Sequence, residues 1–240
     1  MKLIFLGTRG YIKARTQRHY RHTSMMVSYY GKRVMIDCGE DWLHQLNGLG
    51  LKAIVITHAH PDHVGGLKEG TSCPVYATQD SWKAMGDYPI EKREILRPRN
   101  PVEIYGIVFE PYPVVHSTRA PAVGFRVSAG NVAIFYVPDV VYIEERDRAL
   151  GGVKVYIGDG ATLKRSMVRK PNDTLIGHTP FRTQLTWCQK EGVPRAIMTH
   201  CGSAIVQGDE RKIGAELRDM GKERGVEVEI AHDGMEVVLR

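Results

Sequence analysis

The amino-acid sequence predicts an α/β protein in which β-sheets pack on one another and helices cover them from outside. Short apolar runs alternate with amphipathic stretches from end to end, and tight-turn residues separate several of these runs. The chain has 240 residues, of which 42% are hydrophobic and 25% charged, as is typical of soluble globular proteins. Because α/β folds often use this length as one unit, we expect a single domain over residues 1–240.

The strands are predicted from apolar runs rich in β-branched and aromatic residues. These runs lie at residues 2–6, 25–30, 33–37, 52–57, 106–115, 122–129 and 131–137. We expect Gly31-Lys32 and Gly130-Asn131 to form tight turns, the latter supplying left-handed residues. The sequence thus predicts several antiparallel hairpins.

Two segments have helical periodicity, residues 180–191 and residues 209–224. In the second segment Ile213, Leu217 and Met220 recur at three- and four-residue spacing beside charged neighbours. Each segment is therefore expected to be an amphipathic helix that lies on the outside of a sheet.

Composition restricts the class of protein. No window approaches the roughly 18 apolar residues that span a bilayer, and the apolar run after Lys2 is too short for a signal peptide. We therefore expect a cytoplasmic protein without a membrane partner.

Four scattered cysteines, without a C-x-x-C pair, indicate reduced thiols. The net charge of +6 suits an anionic substrate or nucleic acid, although many proteins with neither partner carry as much.

The stretch THAHPDHVGG, residues 57–66, places His58, His60, Asp62 and His63 within six positions. Histidines at i and i+2 on an extended loop point the same way and can share one ion. Pro61 favours a helix start, so Asp62 and His63 are expected on a first helical turn, facing a second ion. This pattern predicts a two-metal site, the alternative being a polar loop that caps the helix.

This stretch resembles the H-x-H-x-D-H signature of the metallo-β-lactamase-fold hydrolases, and is closest to the small phosphodiesterase and ribonuclease Z-like branch. The resemblance extends from FLGTRG near the N-terminus to AHDGMEVVL near the C-terminus. It implies a four-layer αββα sandwich that holds two divalent ions, zinc or else manganese or iron.

The resemblance also implies the ligands of both ions. The first ion would be held by His58, His60 and His116, and the second by Asp62, His63 and His200, with Asp139 bridging them. Taken singly, His116, Asp139 or His200 could instead be structural. Asp159 also follows a strand and competes with Asp139 for the bridging position. We favour Asp139 as the bridging residue. We expect Asp159 and His232 to contact the ligand side chains without binding an ion themselves.

Catalysis is assigned by the same resemblance to His178 and Asp62. The segment IGHTPFRTQL places His178 at the start of a helix, 22 residues before His200, and so resembles the additional non-ligand histidine of ribonuclease Z and of the small cyclic-phosphate phosphodiesterases. A β-lactamase needs no proton donor there. Alternatively, His178 caps the helix or is buried as a structural residue.

A basic stretch at residues 9–22 carries five Lys or Arg, no acidic residue, and two tyrosines. Such a stretch can hold a phosphate or single-stranded nucleic acid by charge and stacking. Arg9, Arg15 and Arg18 are the candidate substrate-binding residues, although most such runs are solvated faces. A second basic cluster, at residues 164–170, would extend this surface or be an ordinary loop.

The predicted function is hydrolysis of small, possibly cyclic, phosphodiesters. A water or hydroxide that bridges the ions would attack phosphorus, and His178 would protonate the leaving oxygen. Only 22 residues separate His116 from Asp139, too few for the tRNA-gripping arm of ribonuclease Z. A short nucleic acid as substrate, a ribonuclease Z-type nuclease and a thioester or lactone hydrolase remain as alternatives, and the sequence leaves a homodimer open.

Overall fold

The computed structural model describes residues 1–240 and contains two β-sheets. The first sheet has the spatial order β15 (Glu236–Val238), β1 (Lys2–Gly7), β2 (Ser24–Tyr29), β3 (Lys32–Ile36), β4 (Ala53–Val55), β5 (Val75–Thr78) and β6 (Arg93–Leu96). The second has the order β11 (Tyr142–Ile143), β8 (Ile107–Val115), β9 (Ala122–Ala129), β10 (Val132–Tyr136), β12 (Val155–Asp159), β13 (Arg195–Thr199) and β14 (Glu227–Ile230), with β7 (Val102–Ile104) paired to β8.

Six α-helices complete the fold. They are α1 (Pro61–Val64), α2 (Gln79–Met85), α3 (Arg146–Leu150), α4 (Phe181–Lys190), α5 (Ser203–Val206) and α6 (Glu210–Lys222). Short 3-10 turns lie at residues 40–42, 46–48, 65–67 and 171–173. The two predicted helices correspond to α4 and α6, and none of the helices is long and apolar enough to cross a membrane.

The layers follow from the alternation of side chains along each strand. In β3, Val34 and Ile36 face the core between the sheets, whereas Met35 faces a second core beneath α1 and α2. In β10, Ile134 faces the core between the sheets and Phe135 a third core beneath α3 to α6. Three cores between four layers make the predicted αββα sandwich, which is confirmed.

The two predicted turns are placed slightly differently. Lys32 pairs with Tyr29 and is the first residue of β3, so the loop consists of Tyr30 and Gly31. Both have positive φ, 44° and 74°, which suits the twist of a two-residue hairpin. In the second turn only Gly130 is left-handed, with φ of 58°. The prediction placed the first turn one residue too late because Tyr30 continues the apolar run that was assigned to the strand.

The arrangement of parallel strands places the polar residues at one edge of the sandwich. β3 and β4 run parallel in the first sheet, and β10, β12 and β13 run parallel in the second. The carboxyl ends of these strands therefore open on the same edge, where Val123 N donates to the carbonyl of Thr57 across the two sheets (3.1 Å). The residues that follow these strand ends form the candidate site.

We predict that Phe125→Ala lowers the free energy of unfolding by about 3–5 kcal/mol, because it removes a ring from the core between the sheets. Phe125 is fully buried and packs edge-on against Phe109, with ring centroids 6.1 Å apart. Chemical denaturation measures the loss. The control Val238→Ala lies on an edge strand with 63% exposure and should change stability by less than about 0.5 kcal/mol. Equal effects of the two substitutions would contradict the layer assignment.

Candidate functional site

The loop after β4 delivers four polar side chains to the open edge. Pro61 occupies the first turn of α1, where its missing N–H costs no hydrogen bond, and His60 is the residue before the helix. Asp62 and His63 lie in the first turn, as predicted, and are 3% and 0% exposed. Because Asp62 and His63 lie on a helical turn, their side chains point in a different direction from those of His58 and His60.

The structure brings all seven predicted ligands together, and we call this set the histidine cluster. Its members are His58, His60, Asp62, His63, His116, Asp139 and His200. One group has converging ring nitrogens: Nδ1 of His60 lies 2.9 Å from Nε2 of His58 and 3.4 Å from Nε2 of His116. In the other group, Oδ2 of Asp62 lies 3.3 Å from Nε2 of His63 and 3.2 Å from Nε2 of His200.

The carboxylate of Asp139 lies between these two groups. Oδ2 is 2.8 Å from Nε2 of His63 and 3.8 Å from Nε2 of His58. Oδ1 is 3.4 Å from Nδ1 of His200 and 3.9 Å from Nε2 of His116. Each oxygen therefore approaches one histidine of each group, which is the position of a bridging ligand.

Outer hydrogen bonds fix which nitrogen of each ring faces the cluster. His116 Nδ1 donates to the carbonyl of Gly177 (3.0 Å), which can only accept, so Nε2 carries the lone pair. The Thr57 hydroxyl donates to Asp37 (2.8 Å) and so accepts from His58 Nδ1 (3.0 Å). Both inner nitrogens are therefore free to act as ligands.

Asp37 was not predicted as a functional residue. Its Oδ2 accepts from Nδ1 of His63 at 2.9 Å, and its Oδ1 accepts from the backbone of Thr57 at 2.8 Å. It is fully buried at the end of β3. The sequence carried one sign of this role, a carboxylate that ends an otherwise apolar strand, because such a buried charge needs a partner.

The electrostatics of the cluster favour neutral imidazoles on one side. Burial, reinforced by neighbouring histidines, lowers the pKa of His58 well below its usual value and that of His60 to about 4. Burial also lowers the pKa of His116. Metal ions bind the neutral ring, so these three side chains are ready to bind without losing a proton.

Around the carboxylates of Asp139 and Asp62, the electrostatics favour charged groups instead of neutral rings. Burial raises the pKa of Asp139, but the rings of His200, His116 and His63 outweigh it and hold this pKa well below its usual value. Burial lowers the pKa of His63, but the carboxylates of Asp62, Asp139 and Asp37 hold it well above its usual value. A fixed negative charge is thus concentrated between the rings.

The donor set fits divalent ions. His63 Nε2, Asp139 Oδ2 and His200 Nδ1 are buried and have no hydrogen-bond partner, although His63 and Asp139 lie close together. A divalent cation between these atoms would take the place of the proton that the raised pKa of His63 reflects, and would give all three buried atoms a partner. Nitrogen and oxygen ligands in this arrangement suit zinc, manganese or iron.

Asp159 and His178 form a pair beside the cluster. Asp159 Oδ2 accepts from His178 Nδ1 (2.8 Å) and from Val140 N (3.0 Å), and Oδ1 accepts from Ala161 N (2.8 Å). Gln184 of α4, which sequence analysis missed, bonds both the N–H and the carbonyl of Asp159. Asp159 lies 4.0 Å from His200, and its oxygens are already occupied, so Asp139 is better placed to bridge.

The ring of His178 lies against the cluster. Its nearer nitrogen, Nδ1, is already bonded to Asp159. The ring stacks on His200 with centroids 5.6 Å apart, and its centroid is 5.1 Å from that of His116. Burial lowers its pKa, but Asp159 and Asp139 outweigh burial and raise the pKa to about 9. Because Nδ1 is bonded to Asp159, Nε2 is the atom available to a substrate.

The three candidate substrate-binding arginines lie in the loop that borders His200, but each is already paired. Arg9 is 2% exposed, and its guanidinium binds Asp41 (2.6 Å) and backbone carbonyls of its own loop. Arg15 also pairs with Asp41 (3.0 Å), and Arg18 pairs with Glu210 (2.9 Å). The structure thus gives Arg9 a loop-holding role, while Arg15 and Arg18 are 40% and 48% exposed.

His232 is not brought to the histidine cluster. Its Nδ1 lies 3.1 Å from the carbonyl of Asp233. Asp233 itself, unnoticed in the sequence, accepts from the backbone of Tyr20 and Arg21 and from the Thr8 hydroxyl (2.7 Å). The connection between β14 and β15 therefore anchors the basic loop. In the second basic cluster, Lys164 pairs with Glu216.

Sequence comparison relates the chain to a large superfamily. The family model described as beta-lactamase superfamily domain matches residues 32–201. Ribonuclease Z of Mycobacterium bovis (strain BCG / Pasteur 1173P2) is 21% identical over 233 residues, which cover 79% of this chain and 82% of that protein. An octanoyltransferase of Porphyromonas gingivalis is 29% identical over 135 residues, but these are 47% of this chain and only 27% of that protein.

Solved structures share the whole architecture. The metallo-beta-lactamase fold protein YhfI from Bacillus subtilis superposes with a TM-score of 0.77 and 17% identity over 98% of each chain. A diphosphatase from the PhnP family gives 0.71 and 20% identity over 98% of this chain and 96% of that one. The short form of human tRNase Z gives 0.68 and 18% identity over all of both chains.

At such identities the structural likeness establishes the fold alone, whereas the family match covers most of the chain. The chain belongs to the beta-lactamase superfamily, has the metallo-β-lactamase fold, and carries the His/Asp clusters that fit a metal-dependent hydrolase of that superfamily.

Proposed function

We propose that this protein is a dinuclear metal-dependent phosphodiesterase that hydrolyses small phosphodiesters at the histidine cluster. The observation that carries the proposal is the Asp159–His178 pair, in which Nδ1 of His178 is bonded to Asp159 and Nε2 is left available beside the cluster. A phosphodiester with a poor leaving group needs a proton donor at that place. Relatives named ribonuclease Z and a structural neighbour named a diphosphatase support chemistry at phosphorus.

The ion-holding residues follow from the two groups of the cluster. His58, His60 and His116 would hold one ion; Asp62, His63 and His200 would hold the other; Asp139 would touch both. When bound, zinc, manganese or iron supplies Lewis acidity toward the phosphoryl oxygens and activates a water for attack. Asp62, 3% exposed beside both His63 and His200, would orient that side of the site.

The protein's own residues position the remaining groups. Asp159 and Gln184 hold His178 and the segment before α4, so that Nε2 of His178 can donate to the leaving oxygen. The Asp37–Thr57–His58 chain holds the opposite wall. Reactive groups held in this way need not be reoriented during the reaction, which lowers the barrier.

A ribonuclease Z-type activity is the second candidate, and one observation favours it: Tyr11 and Tyr20 of the basic loop are 63% and 54% exposed and could stack on bases. Against it, the 22 residues between His116 and Asp139 include only β9, β10 and short connections. This region of the chain therefore carries no arm for gripping tRNA. A small diester or a short single strand fits better than a folded RNA.

We predict that reconstituted protein binds about two divalent ions per chain, and that His116→Ala and His200→Ala each bind about one, because each removes a ligand of a different ion. Elemental analysis after dialysis measures the content. The control His44→Ala removes a histidine that is 67% exposed and pairs with Glu69, and should leave two ions. A wild-type content of one ion, or no loss in either variant, would contradict the ligand assignment.

We expect bis(4-nitrophenyl) phosphate to be hydrolysed with a kcat/KM about tenfold or more above that of 4-nitrophenyl phosphate, a difference of about 1.4 kcal/mol. The monoester brings a second negative charge toward the buried carboxylates of Asp62 and Asp139, whereas the diester brings one. A lactam, a thioester and a short RNA complete the panel. A far better acyl substrate would replace this proposal with the acyl-hydrolase alternative, and a far better RNA with strongly salt-dependent binding would favour the nuclease.

For His178→Ala we predict a loss of roughly a hundred- to ten-thousand-fold in kcat/KM on alkyl diesters, and a clearly smaller loss on nitrophenyl diesters, whose leaving group needs no proton. The two efficiencies are compared on preparations of equal metal content, with His44→Ala again as the control. Equal losses on both diesters would assign His178 to substrate positioning. A lower metal content would make His178 a ligand.

A further inference from the structure

An open apolar cleft lies at the same edge of the sandwich as the histidine cluster, and we call it the proline cleft. Its volume is about 320 Å³, within the range of small-molecule sites. Three of its walls are Pro98, Pro113 and Pro121, and Ile95 of β6 forms a fourth. Ile95 is 54% exposed, so its side chain is accessible to a ligand in the cleft.

The cleft adjoins the first ion's side of the cluster. Val123, which lines it, donates its N–H to the carbonyl of Thr57, the residue before His58. Pro113 lies on β8, the strand that His116 follows. The basic loop follows β1, four strands from β5 in the first sheet. The basic loop and the proline cleft therefore lie on opposite sides of the cluster.

The polar groups of the cleft describe what it accepts. Asp80, whose carboxylate lies 3.6 Å from Nζ of Lys83, and Arg97 carry opposite charges, so the lining of the cleft has no net formal charge. Arg97 is exposed and, unlike Arg99, which pairs with Glu110, has no carboxylate partner. Gln79 adds an amide. Apolar walls with a few donors and acceptors suit an uncharged planar ring that has polar edge atoms.

We propose that the proline cleft binds a nucleobase-sized heteroaromatic ring on the non-leaving side of the phosphodiester, which would make the natural substrate a nucleoside phosphodiester. The proposal rests on the function proposed above. His178 contacts Asp159 at the end of β12, whereas the cleft adjoins β8 and β9, on the other side of β10 and Asp139. The leaving group therefore faces His178 and the retained nucleoside faces the cleft.

Two diesters with the same leaving group test this. Thymidine 5′-(4-nitrophenyl phosphate) and methyl 4-nitrophenyl phosphate differ only in the retained group. We expect the wild type to favour the thymidine diester by about tenfold or more in kcat/KM, through KM, since burying about 60 Å² of apolar ring surface contributes about that much. Ile95→Trp, which fills the cleft from an exposed position, should abolish the preference by bringing the kcat/KM for the thymidine diester down to that for the methyl diester.

The matched control is Val238→Trp, which adds the same indole to an exposed residue on β15, at the edge of the sheet opposite β6. It should keep the wild-type preference. Equal efficiency of the wild type on both diesters would overturn the proposal, as would a preference that survives in Ile95→Trp.

Binding of thymidine to the metal-free protein, followed by ligand-observed NMR, separates the cleft from catalysis. If neither diester is turned over, the phosphodiesterase proposal fails, but the cleft is still tested. Thymidine binding that is lost in Ile95→Trp and retained in Val238→Trp supports the cleft as a ring-binding site. No binding to the wild type, or equal binding to all three proteins, overturns it.

Discussion

The carboxylate of Asp139 is the group on which the rest of the site depends. It is 3% exposed, and its two oxygens approach rings from both halves of the cluster. A buried charge is costly unless it is paired, and here cationic or metal-bound partners on all sides are needed to offset the cost. The αββα sandwich supplies them by directing strand ends from two sheets to one edge.

A second set of residues holds the cluster rigid. Asp37, Gly177 and Thr57 fix the outer nitrogens of three histidines, and Gln184 fixes the backbone of Asp159. None of these would bind an ion, yet each limits ring rotation or tautomer choice. Such supports preserve ligand geometry before an ion arrives, which raises affinity and speeds the reaction that follows.

The surroundings of the cluster are asymmetric. A basic loop, tied down by Asp41 and Asp233, borders His200, while the proline cleft, whose walls are mostly apolar, lies beyond His58. This asymmetry suits a substrate with one charged phosphate group that carries two different substituents. Within this loop Arg9 is buried in its ion pair with Asp41, whereas Arg15 and Arg18 are partly exposed.

The sequence by itself predicted packed sheets with helices outside them, seven of the fifteen strands, and the close spacing of His58, His60, Asp62 and His63, because apolar runs and short-range spacing are local properties. The family resemblance added His116, Asp139 and His200 at later strand ends. The tertiary structure decided which groups support them: Asp37 reaches His63 across 26 residues, and Arg9 reaches Asp41 across 32. Contacts of this kind, like the proline cleft, depend on how the two sheets meet, which no local pattern encodes.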